Sequence, residues 1–308
     1  MRNSLFHAFE KMFCFIYNCF NWFLEKTPLS SRSANMGRNA KKSALAKLGI
    51  TPYEINLLLE ADMSATVRTS FTFGVEIECN VARGAVRQAA DVTGMSYQYE
   101  GYNHRDGHSY FKFTTDSSVR GENAIECVSP VMQGASGKST LKNAVETLNR
   151  AGASVNKSCG LHVHIGASAL TQRQYANVFN NYYYLEALVD SFMAPSRRRD
   201  TNCYCRSLRD HSALTRCESV RDVQGTLDYD RYHKINPMSY DRHKTIEFRQ
   251  HQGTTDYKKI LNWVMFCGKL VEWSKKNRLT ADVADIDDLP FLTKAEKRFF
   301  KSRIGQLS

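Results

Sequence analysis

The chain has 308 residues, with 42 Lys and Arg against 31 Asp and Glu for a formal charge of +11. It is long enough to bury one substantial core with small appendages, and its nine scattered cysteines, an odd number, exclude a disulfide-stapled scaffold and point to a reducing, cytoplasmic setting. The basic balance suits an anionic partner such as a nucleotide, a phosphate-bearing substrate or an acidic polymer, without choosing among them.

In residues 4–26, Phe6, Phe9, Phe13, Ile16, Phe20 and Phe23 recur at three and four, which is an apolar helical stripe. Glu10, Lys11, Asn18 and Asn21 interrupt it, so the segment makes a poor membrane span and an atypical signal peptide. The expected element over 1–26 is an amphipathic helix that lies on a membrane surface or docks on a partner or on the main domain. Residues 27–43, rich in Ser, Asn, Arg and Lys, read as a linker. Thr51-Pro52 opens a short helix over 51–60.

Phe71-Thr-Phe-Gly-Val-Glu-Ile-Glu-Cys79 reads as a buried strand. Alternation puts Phe71, Phe73, Val75 and Ile77 on one face and the carboxylates Glu76 and Glu78 on the other, about 7 Å apart. Two like charges there are costly unless a cation lies between them; the alternative is a solvated face of an edge strand. A helix is expected over 84–90, strands over 97–102 and 110–115 with a turn at 103–107 between them, and a turn at 116–119. Glu126-Cys-Val-Ser-Pro130 is a further strand, ended by proline. A helix over 138–151 carries Leu141, Val145 and Leu148 and stops at Gly152.

Ser158-Cys-Gly-Leu-His-Val-His-Ile-Gly166 is the next strand, with His162 and His164 on one face and glycines where a ligand or another backbone can approach. A long helix fits 171–193, and 195–222 is polar and irregular. There, Cys203-x-Cys205 with Cys217 lacks the paired spacing of a structural zinc site. Lys244-Thr-Ile-Glu-Phe-Arg249 gives a third same-face pair, Glu247 and Arg249. It is either a plain ion pair or a carboxylate for a cation beside a guanidinium for a phosphoryl oxygen. A helix follows over 257–276, and a short one is expected near 293–302.

Four predicted strands thus present Glu-x-Glu, Glu126, His-x-His and Glu-x-Arg. Carboxylates with one or two imidazoles match magnesium or manganese holding nucleotide phosphates better than zinc. Asp116 is read equally as an Asx-turn residue or a ligand, and Cys159 as a small buried residue ahead of a nucleophile.

In that order these motifs resemble the amidoligase family, which belongs with glutamine synthetase and glutamate cysteine ligase among the carboxylate-amine ligases. The resemblance spans about residues 70–275 and rests on four separated motifs. It implies an α+β fold, a curved and mainly antiparallel sheet with helices on its outer face, and a concave face that holds ATP and two or three magnesium ions, with manganese as the substitute. The implied metal ligands are Glu76, Glu78, Glu126, His162 and Glu247. Arg249 would contact the transferred phosphoryl group, so Arg249, Glu76 and Glu78 form the catalytic set. His164, Arg231, Asn236 and Arg249 would lie by the nucleotide, phosphate or substrate. Asp116-Ser-Ser departs from the family pattern, where glycine commonly follows the acid.

The implied organisation is an aromatic helix at 1–26, a linker and short helix at 27–68, a catalytic domain at 69–276 and a tail at 277–308. The expected partners are an amino-acid, peptide or polyamine substrate, or a protein side chain, with membrane-surface or protein contact through residues 4–26. A metal-dependent hydrolase or oxygenase built on His162, His164 and a carboxylate needs no nucleotide and is the first alternative. A nucleic-acid or membrane-surface binder is the second, against which the acidic cluster stands because it would repel a polyanion unless metal-filled.

Overall fold

The computed structural model describes residues 71–101 and 107–308. The expected helices over 1–26 and 51–60, the linker and most of the 103–107 turn lie outside the described residues. The described residues lie within one compact unit.

The unit is α+β. Its elements in chain order are β1 (Thr72–Asn80), α1 (Arg83–Thr93), β2 (Tyr97–Tyr99), β3 (Phe111–Thr114), β4 (Ala124–Val128), β5 (Met132–Gln133), α2 (Gly134–Arg150), β6 (Gly160–Gly166), α3 (Gln172–Ser191), α4 (Val220–Thr226), β7 (Ile235–Asn236), α5 (Ser239–His243), β8 (Thr245–Gln252), α6 (Tyr257–Ser274) and α7 (Lys294–Leu307). The sheet order is β2, β3, β4, β1, β6, β8, β7, with β5 paired to β1. Among the described strands, β2 and β3 pair in parallel and the other pairs are antiparallel.

The two-residue period decides what each face does. Phe73, Val75 and Ile77 of β1 are buried under the helices, each contributing about 1.5–3 kcal/mol. Their partners on the same face include Val163 and Ile165 of β6 and Phe248 of β8. Phe248 packs on Trp263 of α6, which stacks in turn on Phe266. A Cβ at Gly268 of α6 would lie 2.1 Å from the Phe71 ring, so glycine lets this helix sit directly on the strand end. The opposite face carries the charged side chains.

Helix ends follow their capping chemistry. Thr171 and Gln174 close a capping box on α3, Thr293 and Glu296 close one on α7, and Asp256 caps α6. α2 begins at Gly134 rather than 138, because Gly134-Ala-Ser-Gly137 has weak intrinsic helix preference and is held by the fold. β8 continues past Arg249 through His251 and Gln252, across a register shift opposite Leu161 and Val163. The two-residue strands β5 and β7 and the short α5 are too brief to show a period. Residues 277–308 pack on the helices through Phe300 against Phe192 and Phe266, and through Lys269 against Glu296.

Candidate active site

Register brings the charged residues of β1, β4, β6 and β8 together. Glu78 stands opposite Glu126, Glu76 opposite His162, and His164 opposite Glu247. Five of the residues expected as metal ligands form two overlapping groups. Glu76, His162 and Glu247 make one, and Glu78, Glu126 and His162 the other; within each, one donor atom per residue lies within 4.8 Å of the rest. His162 is the hinge. Its Nδ1 is 2.9 Å from Glu76 Oε2 and 3.6 Å from Glu247 Oε1, and its Nε2 is 3.5 Å from Glu78 Oε1.

Backbone and side-chain donors hold the carboxylates in place. The Gly160 N–H donates to Glu78 Oε2 at 2.6 Å. A Cβ at Gly160 would lie 3.1 Å from His162 Nε2 and 3.4 Å from Glu78 Oε2, so this glycine leaves room that a side chain would take. Asn236 Nδ2 donates to Glu247 Oε2 at 2.6 Å and Arg249 Nη1 to Glu247 Oε1 at 2.5 Å. Arg249 Nε also donates to the Tyr204 carbonyl at 3.3 Å, and its guanidinium lies 5.7 Å from the centre of the Tyr232 ring.

The charges strain against one another. Burial pushes the Glu76 carboxyl up, but His164 and His162 outweigh it and hold the group well below its usual range. Burial likewise raises Glu247, and Arg249 with His164 overcomes it to bring the group to about 2. Glu126 has no such relief: burial and the charges of Glu76, Glu78, Asp116 and Glu247 push its carboxyl well above the ordinary value. Burial would lower His164, and Glu76 reverses the direction. Four carboxylates, one guanidinium and two imidazoles are not a balanced set.

His164 donates or accepts at Nδ1 with Thr245 Oγ1 at 2.9 Å, while its buried Nε2, 3.3 Å from Glu76 Oε1, makes no hydrogen bond. Among the described residues the ligand groups contain His162 and not His164, which weighs against a paired-imidazole centre. The oxygen-rich donor sets, with one shared imidazole and an unbonded imidazole nitrogen beside them, fit a hard divalent cation such as magnesium or manganese.

Other expected residues fall differently. Arg231 is exposed, with its guanidinium 5.4 Å from the Tyr232 ring centre. Asp116 Oδ1 accepts from the Ser118 N–H and hydroxyl at 2.6 Å each, an Asx-turn. Cys159 is buried and its thiol is pushed up by burial, which suits a packed residue rather than a nucleophile.

Sequence reasoning passed over Lys112 and Thr114. Thr114 is paired with Glu126 and Lys112 with Val128, so both belong to the charged face. The Phe111-Lys-Phe-Thr114 alternation carried the same information as the Glu-x-Glu of β1.

No curated protein sequence gives a match. Among solved structures, a bifunctional glutathione synthetase from Pasteurella multocida aligns with 81% of this chain and 42% of its own at 12% identity and a TM-score of 0.36. A novel glutamine synthase homolog aligns with 77% of this chain and 66% of its own at 10% identity and a TM-score of 0.39. The chain therefore spans under half of the first and 66% of the second. The family model described as "Putative amidoligase enzyme" matches residues 69–271, about the span over which the four motifs run, and the chain belongs to the amidoligase family.

Proposed function

We propose that this protein is an ATP-dependent carboxylate-amine ligase that makes an amide or isopeptide bond through an acyl phosphate. The observation that carries the proposal is the pair of overlapping ligand groups sharing His162, with Arg249 bonded to a carboxylate of one of them. A carboxylate oxygen of the acid substrate attacks the γ-phosphorus of ATP, the bond to the β-phosphate oxygen breaks, and ADP leaves. The amine then attacks the acyl carbon, loses a proton, and inorganic phosphate departs.

Glu76, Glu78, Glu126, His162 and Glu247 are the residues that would hold divalent cations. Such cations supply neutralisation of the negative charge on phosphate oxygens. Arg249 would offer its remaining guanidinium N–H groups to the oxygens of the transferred phosphoryl group, a planar fork that suits phosphate. Glu247 holds that guanidinium, and Asn236 holds Glu247. His164, held by Thr245 beside Glu76, would lie by the nucleotide. Arg231, exposed beside Tyr232, would serve as a contact for phosphate or substrate at the rim.

The test is ATP consumption by the purified full chain with magnesium against a panel of amino acids, peptides and polyamines, alone and in pairs. The proposal expects phosphate release that requires both an acid and an amine. A protein that binds no nucleotide by calorimetry in the presence of magnesium would overturn it.

A further inference from the structure

Arg197 is a buried cation without an acid of its own. It closes the single helical turn Pro195–Arg197 that follows α3, and at 3% exposure it is as deeply buried as Arg249 at 5%. Its Nη2 donates to the Cys159 carbonyl at 2.7 Å and to the Ser158 carbonyl at 3.5 Å, its Nη1 has the Cys205 sulfur at 4.0 Å, and its Nε has no hydrogen-bond partner. None of these partners is a carboxylate. Two carbonyls and a thiol ask only for a donor, which a neutral amide could supply, whereas a buried full charge is costly without an opposite one.

The guanidinium borders the charged face at Gly160. This glycine precedes His162 by two residues on β6, so the side chain it lacks would point to the same face. A Cβ there would lie 3.1 Å from His162 Nε2, 3.4 Å from Glu78 Oε2 and 3.4 Å from Arg197 Nη1. An imidazole nitrogen, a carboxylate oxygen and a guanidinium nitrogen therefore border the space the glycine leaves. The Cys159–Gly160 peptide does not need Arg197 to hold it: its carbonyl also accepts from the Gly253 N–H at 2.8 Å, and its own N–H donates to Glu78 Oε2 at 2.6 Å. Arg249 reaches the same loop as Arg197, since its Nε donates to the carbonyl of Tyr204, the residue before Cys205.

We propose that Arg197 is a second anion-binding group of this site, offering N–H groups to a carboxylate or phosphate oxygen of a ligand seated over Gly160, beside Glu78 and His162. The ligand supplies the opposite charge that the fold does not, and the glycine supplies the room. A guanidinium suits either oxygen donor, because its planar fork matches both. Arg249 is tied to Glu247; Arg197 has no such tie and is the guanidinium with charge to spare. The source of the anion, acid substrate or nucleotide, rests on the ligase reading.

The experiment is calorimetry on the full chain with magnesium present, titrating inorganic phosphate, succinate and a non-hydrolysable ATP analogue into wild type, Arg197→Gln, Arg197→Lys and Gly160→Ala. Arg197→Gln keeps a donor for the Cys159 carbonyl and removes the charge, and it is expected to weaken anion binding by about tenfold or more. Arg197→Lys keeps the charge without the fork and should retain part of the affinity. Gly160→Ala leaves the guanidinium in place and fills the space, so anion affinity should again fall. Loss confined to succinate assigns the group to the acid substrate; loss confined to the analogue and inorganic phosphate assigns it to the nucleotide.

Manganese titrated alone separates this role from one of merely positioning Glu78 through the Cys159–Gly160 peptide. With the positive charge gone, Arg197→Gln should bind manganese as tightly as wild type or more tightly, whereas a lost positioning contact would weaken it. Should Arg197→Gln fail to fold, Arg197→Lys and Gly160→Ala carry the test. The proposal is overturned by anion affinities within twofold of wild type in every variant that folds, or by a fall in manganese affinity in Arg197→Gln as large as its fall in anion affinity. It is overturned too if wild type binds none of the three anions. Failure of the nucleotide analogue alone counts against the ligase reading, and Arg197-dependent binding of phosphate or succinate would still support the anion site.

Discussion

Buried charge occurs on both sides of β8, and the two sides are assembled differently. On the helix side, the fully buried Lys234 Nζ donates to Glu186 Oε1 at 2.8 Å and to Asp190 Oδ1 at 2.7 Å. Glu186 also accepts from the Ser207 hydroxyl and the Leu208 N–H, and Gln250 Nε2 donates to Asp190 and to the Arg197 carbonyl. Each carboxylate there has several donors. On the other side, Glu126 is crowded by Glu76, Glu78, Asp116 and Glu247, and His164 Nε2 and Thr114 Oγ1 are left without bonds. A buried charge enclosed by donors is architecture; a buried charge enclosed by like charge is a place for ligands.

The contrast is sharpest in a pair of substitutions on the charged face. Glu76→Gln and Glu126→Gln should each lower ligase turnover by roughly 10^2- to 10^3-fold, and in Glu126→Gln, where burial and like charge push the carboxyl up, the thermal midpoint should hold or rise because that crowding is relieved. Steady-state phosphate release and thermal unfolding check the two halves, and an active Glu76→Gln enzyme would remove that residue from the site. On the helix side the order of effects reverses. Lys234→Met leaves Glu186 and Asp190 buried without their cation, so denaturant unfolding should show a loss of about 3–5 kcal/mol. A loss under about 1 kcal/mol would mean that the network is not architectural.

Two buried imidazoles make the fold acid-sensitive apart from the site. Burial lowers His251 to about 3 and His233 to about 4. The unfolded chain takes up protons near the ordinary histidine value of about 6.5, whereas the folded chain refuses them until far lower pH, so stability is present above about 6.5 and drains away as pH falls toward 3 to 4. Between pH 7 and 5 the loss is about 2 kcal/mol for each imidazole at most. Unfolding midpoints across that range check it, and His251→Gln should flatten the slope. The smallest effect is expected outside both regions. Glu146 and Arg150 pair at 2.8 Å on the exposed face of α2, and Glu146→Gln should change stability by no more than about 0.5 kcal/mol in urea unfolding.

The charged face was legible in the sequence because a strand writes its two faces in alternate letters. Glu76, Glu78, His162, His164, Glu247 and Arg249 could be placed on one side from local spacing alone, and the structure places them together. Lys234 could not. Its partners lie 48 and 44 residues earlier in α3, and nothing in Arg231-Tyr-His-Lys-Ile-Asn236 marks this lysine as wholly buried. The same hexapeptide divides in the fold: Arg231 stays on the rim, and Asn236 reaches Glu247 through a strand only two residues long. Thr114 and Lys112 were legible in principle. Their alternation shows which face they share, but their place beside Glu126 follows from a cross-strand register that local spacing does not carry.

The central claim, that a carboxylate is activated by phosphoryl transfer on this face, is tested most directly by isotope transfer. The acid that supports ATP consumption is supplied with both carboxyl oxygens labelled as 18O, together with its amine, ATP and magnesium. The released inorganic phosphate is then examined by 31P NMR. An acyl phosphate carries one labelled oxygen from the acid into phosphate for each amide formed, and this is the predicted result. Unlabelled phosphate accompanying amide formation would contradict the account.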